Sequence, residues 1–140
     1  METITIIDKA ITAIIPKFQL KVTKKNLEAF ADCMEHLKTS LQKCPKIGET
    51  DGMKEHPAIF HYFYGSSDFY ICEYEPDEGL MFGYGIHNGD LPNSEWGYFS
   101  VFEFADSKYV NIDYHFKEQS IEAALYNKNP RYFKKPESLM

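Results

Sequence analysis

The stretch "DFYICEYEPDEGLMFGYGIH", residues 68–87, decides the fold. Two runs rich in aromatic residues flank residues 76–79 (PDEG), which have turn chemistry because proline fixes φ and glycine tolerates a positive φ. Aromatic side chains pack well on a pleated surface, and they make up 16% of the chain. The stretch therefore predicts an antiparallel hairpin in which Glu75 lies opposite Leu80.

Continuing the register of this hairpin places one acidic side chain, Glu73, among apolar ones. The predicted pairs are Glu73 with Phe82, Ile71 with Tyr84 and Phe69 with Ile86. On the opposite face, Gly83 and Gly85 lie across from Cys72 and Tyr70 and leave room for rings. A carboxylate on an apolar face must be paired, protonated or reached by water. Glu73 is therefore either a structural carboxylate held by a backbone N–H or a lysine, or a functional one with a raised pKa.

Before the first strand, the apolar residues follow helical spacing. Residues 4–15 repeat isoleucine at steps of three and four, which predicts a short helix. Residues 24–43 predict the longest helix, with Thr23 as its N-cap and a single apolar stripe. The stripe consists of Leu27, Phe30, Met34, Leu37 and Leu41. Residues 18–22 (FQLKV) predict a brief edge strand, and residues 46–57 predict a loop.

The pattern then changes to the alternation that is typical of strands. Four strands are predicted, over residues 58–64, 68–75, 79–87 and 108–116, with a loop over 88–95. Two short helices are expected after Ser100, which has capping-box spacing with Glu103, and after Ser120. We therefore predict an α+β fold, in which an antiparallel sheet of about four strands packs against one long N-terminal helix, with short extra helices.

A single domain is predicted over residues 1–140, because this length suits one hydrophobic core. Its parts are a helical N-terminal part (1–50), a β-rich core (58–116) and a basic, loosely ordered tail (128–140). The tail is assigned on its two prolines and its surplus of bases.

The net charge of −6 is unevenly distributed along the chain. Residues 51–106 carry eleven acidic residues and one base, Lys54, whereas residues 1–50 and 107–140 each carry two more bases than acids. The middle third therefore repels phosphates. It is either a solvated acidic face or a docking face for a basic partner.

The cellular setting follows from cysteine usage and hydropathy. The three cysteines, Cys33, Cys44 and Cys72, include no CxxC pair, which is typical of reduced thiols in a cytosolic protein. No run approaches the roughly 20 apolar residues that a membrane-spanning helix needs. Asp8 and Lys9 interrupt the opening apolar run, so it does not match a signal peptide. We therefore expect a cytoplasmic protein that does not contact a membrane.

Three motifs together resemble a known family. They are "CEYEPDEGLMFGYG" (72–85), "EWGYFS" (95–100) with Glu103, and "IDYHF" (112–116). They are similar to those of an uncharacterised bacterial family, domain of unknown function 2958, over roughly residues 58–120. The resemblance implies an acidic hairpin, a turn into a helix, and a setting on plasmids or other mobile elements; the family has no established activity. Departures from its pattern are Cys72, the residue before Asp113, and His61 with Tyr62.

An enzyme hypothesis rests on acidic and histidine side chains. On the last predicted strand, Asp113 and His115 share a polar face, as an acid–base pair or half a metal site requires. The wider constellation is Glu73, Glu95, Asp113, His61, His87 and His115. Glu73, Asp113 and His115 are the catalytic candidates of a small hydrolase-like enzyme. Plain alternation on a half-exposed strand explains the same pattern, and HExxH and GxSxG are absent. We expect no tightly bound zinc and no cofactor.

The main hypothesis is a non-enzymatic interaction module that docks a protein partner through the acidic region 51–106. Its candidate binding residues are Glu75, Asp77, Glu78, Asp90, Glu95 and Trp96, the single tryptophan. Two nucleic-acid hypotheses stay open. An acidic protein can mimic DNA to block a defence enzyme, and the basic tail, with Tyr126, Tyr132 and Phe133, can contact nucleic acid weakly.

Overall fold

Helices form the N-terminal part of the chain, which a computed structural model describes over residues 9–140. They are α1 (Lys9–Ile14), α2 (Lys17–Lys25) and α3 (Ala31–Lys43). The helix predicted over 4–15 is present as α1, and its first residues lie outside the described part. The edge strand predicted over 18–22 is wrong, because these residues lie within α2.

The single long helix predicted over 24–43 is also wrong. Thr23 is not an N-cap but a buried residue of α2, where its hydroxyl donates to the Gln19 carbonyl (2.9 Å) and lies 2.8 Å from the Tyr114 hydroxyl. Helix α2 ends at Lys25, with Asn26 as its C-cap, and α3 starts only at Ala31. The contact of Thr23 with Tyr114, distant in sequence, thus fixes the orientation of α2 independently of α3. The predicted stripe holds within α3, where Met34 and Leu37 are buried.

Antiparallel strands form two sheets. The strands are β1 (Pro57–Ala58), β2 (Phe60–Tyr64), β3 (Ser67–Glu75), β4 (Leu80–Ile86), β5 (Glu95–Ser100), β6 (Asn111–Ile112) and β7 (Gln119–Ser120). The larger sheet has the order β5-β4-β3-β2-β6, and β1 pairs with β7. The α+β class and the antiparallel sheet are confirmed. The count of about four strands is too low, because β5 and β7 lie outside the predicted strands and the larger sheet alone has five.

The last predicted strand, residues 108–116, is much shorter than expected. Only Asn111–Ile112 pairs with β2. The Asp113 carboxylate accepts the N–H of His115 (2.9 Å), and a side chain bonded to the backbone two residues on closes a turn. This turn ends the strand, so the predicted alternating polar face does not exist beyond Asp113.

Two serine caps predicted from sequence are confirmed. Helix α4 (Val101–Asp106) begins where the Ser100 hydroxyl accepts the Glu103 N–H (3.3 Å). Helix α5 (Ile121–Lys128) begins where the Ser120 hydroxyl accepts the Ala123 N–H (3.0 Å). Short 3-10 turns occupy Leu91–Asn93 and Glu137–Leu139.

A β-bulge changes the register of the β3–β4 hairpin. The predicted pairs of Glu75 with Leu80 and of Glu73 with Phe82 are confirmed. Beyond the bulge at Cys72, the pairs are Ile71 with Gly83, Tyr70 with Tyr84, Phe69 with Gly85 and Asp68 with Ile86, so the remaining predicted pairs are wrong by one residue. Gly83 is required here because a Cβ would lie 1.9 Å from the Tyr70 carbonyl oxygen. The prediction that the glycines leave room for aromatic rings holds for Gly85 alone, where a Cβ would come within 3.3 Å of the rings of Phe69 and Phe99.

Both faces of the larger sheet carry buried side chains. One hydrophobic cluster joins Ile71 and Met81 to residues of α1, α3 and α4. The other joins Cys72 and Ile86 to residues of α5, with Trp96 and Phe133 packed against it. Because helices and the tail cover the faces, the ends and the β5 edge are where the sheet meets solvent.

Candidate functional site

Glu73 is held by the loop that precedes β1. Its Oε1 accepts the Gly48 N–H (2.8 Å), and its Oε2 accepts the Thr50 N–H (2.9 Å) and the Thr50 hydroxyl. The residue is 1% exposed. The hypothesis of a carboxylate tethered to backbone N–H groups therefore describes the observed geometry.

The protonation state of Glu73 follows from the same contacts. Burial raises the pKa of this carboxyl, but the Thr50 hydroxyl, the Gly48 N–H and the Thr50 N–H together bring it below its ordinary value. This direction is the opposite of the raised pKa on which the alternative of a functional carboxylate depends. Glu73 stays ionised at neutral pH, and its acceptor oxygens are occupied.

Asp113 belongs to a second polar cluster centred on a histidine. His61 Nε2 lies 2.8 Å from Asp68 Oδ1, and His61 Nδ1 lies 3.3 Å from Asp113 Oδ2. Lys128 Nζ lies 2.6 Å from the other Asp68 oxygen. We call Asp113, His61, Asp68 and Lys128 the His61 cluster. It joins β2, β3, the turn after β6, and α5.

The His61 cluster is suited to holding elements together. Each ring nitrogen of His61 lies within hydrogen-bond distance of one aspartate, so both nitrogens are engaged inside the cluster. The ring also stacks on Tyr70 at 4.7 Å. Burial raises the pKa of Asp68, but hydrogen bonds from His61 and Lys128 bring it below its ordinary value.

The remaining enzyme candidates do not join these groups. His115 is exposed and lines a shallow cavity beside α3 with Asp32 and His36. His87 and Glu95 are exposed at the far end of β4 and the start of β5. The structure therefore gives no contact between Glu73, Asp113 and His115 side chains that would form a shared catalytic centre within residues 9–140.

The cysteines and the potential metal ligands are the remaining reactive side chains. All three cysteines are free. Burial raises the pKa of the Cys33 thiol, and it raises the pKa of Cys44 and of Cys72 to about 12. The three thiols are therefore poor nucleophiles at neutral pH. Among residues 9–140, no group of three or more His, Cys, Asp and Glu side chains is placed to hold a metal ion. The expected lack of tight zinc binding stays a prediction.

The predicted partner-binding residues lie at two ends of the sheet. Glu75, Asp77 and Glu78 belong to the β3–β4 turn, whereas Asp90 and Glu95 lie at the other end of β4. Pairing of Leu80 with Ser100 and of Gly85 with Glu95 sets these ends five residues apart, roughly 17 Å at the usual strand rise. They do not form one continuous acidic face.

Trp96 is half-buried and packs inside the molecule. Its ring lies 4.5 Å from that of His56, 5.3 Å from Tyr84 and 5.9 Å from Phe82. The indole thus covers the sheet face that carries the second hydrophobic cluster. It is not a freely exposed interface anchor.

A groove that the sequence did not reveal lies at the acidic turn end of β5. It has a volume of about 580 Å³, and its lining residues include Tyr64, Glu78, Tyr98, Phe99, Glu103 and Tyr109. We call this set the aromatic groove. The Tyr98 ring also lies 5.1 Å from that of Phe82, on β4. Tyr64, Tyr98 and Tyr109 are 38%, 63% and 74% exposed. Within residues 9–140, no cation lies within ion-pair distance of Glu78 or Glu103.

The basic tail packs onto the molecule, although the sequence predicted loose order. Phe133 contacts Tyr84 at 5.9 Å, and Pro136 is buried. Glu55 accepts hydrogen bonds from the Ser138 N–H and hydroxyl. Three lysines here share a cavity of about 480 Å³ with three glutamates; they are Lys54, Lys134 and Lys135, with Glu55, Glu122 and Glu137. This mixture of charges does not favour phosphate binding.

Within residues 9–140, no helix combines the length and the apolar character needed to cross a bilayer. Comparison with known protein families, with curated proteins and with solved structures found no match. The resemblance to domain of unknown function 2958 therefore stays a prediction.

Proposed function

We propose that this protein is a non-enzymatic interaction module that binds a basic segment of a protein partner in the aromatic groove. The observation that carries the proposal is that one concave surface combines exposed tyrosines with carboxylates that have no ion-pair partner within residues 9–140. Its setting would be the cytoplasm of a bacterium, as the sequence resemblance and the free thiols suggest.

Tyrosine is well suited to such a surface. It offers a large, rigid, amphipathic contact area, and tyrosine is enriched among the residues that dominate interface energetics. Tyr98 and Tyr109 are among the most exposed large side chains of the described chain. Covering them with a partner removes apolar area from water, which favours association.

The charge of the groove selects the kind of partner. Glu78 and Glu103 lack cationic neighbours in the described chain, so a lysine or arginine from a partner gains a charge-assisted bond without breaking one. The surrounding region 51–106 has a net charge of −10, which attracts a basic segment from a distance.

The enzyme and DNA-mimic alternatives have less support. The acidic side chains proposed for catalysis are engaged by other groups: Glu73 by Gly48 and Thr50, and Asp113 by His61 and by the N–H of His115. DNA carries one charge per ~1.7 Å of axis, whereas the two acidic ends of this sheet are separated by uncharged strand. No observation favours either alternative over the groove.

Affinity capture with matched variants tests the proposal. We expect Glu78→Lys with Glu103→Lys to abolish capture of partners from a bacterial lysate, because both carboxylates lie in the groove. The control is Glu28→Lys with Glu35→Lys, which makes the same charge change at exposed positions at and before α3. If both variants lost capture equally, the change in net charge would explain the loss, and the groove would not be the binding site. Unchanged capture by the groove variant would overturn the proposal.

A further inference from the structure

The backbone hydrogen-bonding groups at the two edges of the larger sheet are satisfied to different extents. At the β6 edge, the Gln19 side chain caps the strand: its Oε1 accepts the Ile112 N–H (2.8 Å) and its Nε2 donates to the Ile112 carbonyl (2.9 Å). Strand β5 is six residues long and has no such cap within residues 9–140. It also contains no proline, lysine or bulge, the usual devices that protect an edge.

The hydrogen-bond pattern identifies the free groups of β5. The Val101 N–H donates to the Gly79 carbonyl (2.8 Å), which continues the ladder between β4 and β5. In an antiparallel ladder, bonded and non-bonded positions alternate, so the odd-numbered residues of β5 face β4. The backbone N–H groups of Trp96, Tyr98 and Ser100 therefore point away from the sheet, and no acceptor for them is present in the described chain.

Carboxylates stand at both ends of this free edge. Glu95 begins β5, and Glu103 follows its end in α4, close to Glu78 in the aromatic groove. None of the three has an ion-pair partner within residues 9–140. The edge thus offers backbone donors and acceptors flanked by unpaired negative charge.

We propose that a basic, extended segment of the partner binds as a sixth strand of the sheet, pairing with the outward backbone groups of β5. The inference rests on the proposed function and specifies how that partner is held. Main-chain hydrogen bonds supply affinity in strand addition, and alternate side chains supply specificity. Every second side chain of the added strand lies over the aromatic groove, where Glu78 and Glu103 favour lysine or arginine.

A second copy of this chain fits the edge less well. If two copies paired symmetrically through Trp96, Tyr98 and Ser100, Tyr98 would lie on the two-fold axis. Glu95 of one copy would then lie opposite Val101 of the second copy, two residues from its Glu103. Like charges in such proximity oppose association, and each copy carries a net charge of −6. Charge therefore favours a basic strand as the occupant.

The probe is a set of peptides selected on the full-length protein from random sequences about twelve residues long, enough to span the strand. We expect enrichment of peptides with basic residues at alternate positions. Backbone N-methylation of the selected peptide at the alternate positions that face β5 should weaken binding about tenfold or more, because each methyl removes an inter-strand hydrogen bond. Methylation at the intervening positions should have a much smaller effect.

A protein variant tests the same contact from the other side. Tyr98→Pro removes an N–H that the β4–β5 ladder does not use, which proline tolerates on an edge strand. Tyr98→Ala removes the same ring and keeps the N–H. We expect Tyr98→Pro to bind the selected peptide about tenfold more weakly than Tyr98→Ala, with both variants melting as cooperatively as the parent.

The outcomes separate the two proposals. If basic peptides are selected and Glu78→Lys with Glu103→Lys abolishes binding, but N-methylation and Tyr98→Pro have no effect, strand addition is overturned and the groove stands. If no basic peptide is selected, both proposals fail. If sedimentation shows a dimer of the parent that Tyr98→Pro dissociates, a second copy occupies the edge, and the added basic strand is overturned.

Discussion

Glu73 and Glu78 stand five residues apart on one hairpin, in opposite surroundings. Glu73 is 1% exposed and accepts three hydrogen bonds from the segment between Gly48 and Thr50. Glu78 is exposed, lines the aromatic groove, and has no cation within ion-pair distance in the described chain. The acidic residues of this hairpin therefore differ in role. The buried Glu73 carboxylate, which accepts hydrogen bonds, stabilises the fold, whereas the exposed Glu78 carboxylate is available to bind a partner.

The glycines of the sheet repeat this contrast between centre and edge. A Cβ on Gly83 would lie 1.9 Å from a backbone oxygen, whereas a Cβ on Gly97 in β5 would meet nothing within 4 Å. The centre of the sheet is thus fixed by close backbone contact, and the edge has open space. Substitutions that are identical in chemistry should therefore differ strongly in effect between the two regions.

The largest effect is expected for Gly83→Ala. The added methyl group overlaps the Tyr70 carbonyl, and relieving the overlap requires the β3 bulge to move. We expect a loss of about 4 kcal/mol or more of unfolding free energy, or a chain that does not fold. Urea denaturation measures this, with Gly97→Ala as the matched control, which should change stability by about 0.5 kcal/mol or less.

A loss of about 3 kcal/mol is expected for Glu73→Ala, because it leaves two backbone N–H groups and a hydroxyl without an acceptor. Glu73→Gln should also be destabilising, since its amide NH₂ replaces one of two accepting oxygens. Glu78→Ala should leave the unfolding free energy within about 0.5 kcal/mol of the parent. Equal melts for the Glu73 and Glu78 variants would refute the division of acidic residues described above.

The dependence of stability on pH should come from the buried carboxylates. The folded-state pKa values of Glu73 and Asp68 are lowered. Their contribution to the unfolding free energy is therefore complete above about pH 4, where free carboxyls titrate. It is lost as the pH falls through the lowered folded-state values. We expect unfolding free energy to fall steeply below about pH 4. The slope should be smaller in Glu73→Gln and in Asp68→Asn than in the parent; urea melts at several pH values check this.

The smallest effect on stability is expected at the groove. Tyr98→Ala and Tyr109→Ala remove side chains that are mostly exposed, so we expect shifts within about 0.5 kcal/mol. Thermal melts should overlay that of the parent. A marked loss of stability would mean that these rings pack on the fold, and the groove would then be part of the structure and not a binding surface.

Local signals made much of the fold predictable. The PDEG turn, the pairing of Glu73 with Phe82 and the caps at Ser100 and Ser120 all depend on residues close in sequence. The bulge at Cys72 was missed, although a glycine inside a strand can mark a bulge or a close backbone approach. Gly83 had another explanation, room for a ring, and only the structure places it against the Tyr70 carbonyl.

Contacts distant in sequence account for what the sequence analysis missed. Glu73 was expected to need a donor, but its donors come from residues 48–50, more than twenty positions away. Asp68 and Lys128 were not candidates, because only the packing of α5 brings them to His61. The exposed tyrosines of the groove look like ordinary strand residues until the strand order places β5 at an edge.

The most direct test of the account is the affinity of the selected basic peptide for three proteins, measured by isothermal titration calorimetry at two salt concentrations. These are the parent, Glu78→Lys with Glu103→Lys, and Glu28→Lys with Glu35→Lys. We expect the parent to bind with an affinity that falls as salt rises, the groove variant to bind at least about tenfold more weakly, and the control to bind with near-parental affinity. Equal affinity of the groove variant and the parent, with all three proteins folded, would contradict this expectation.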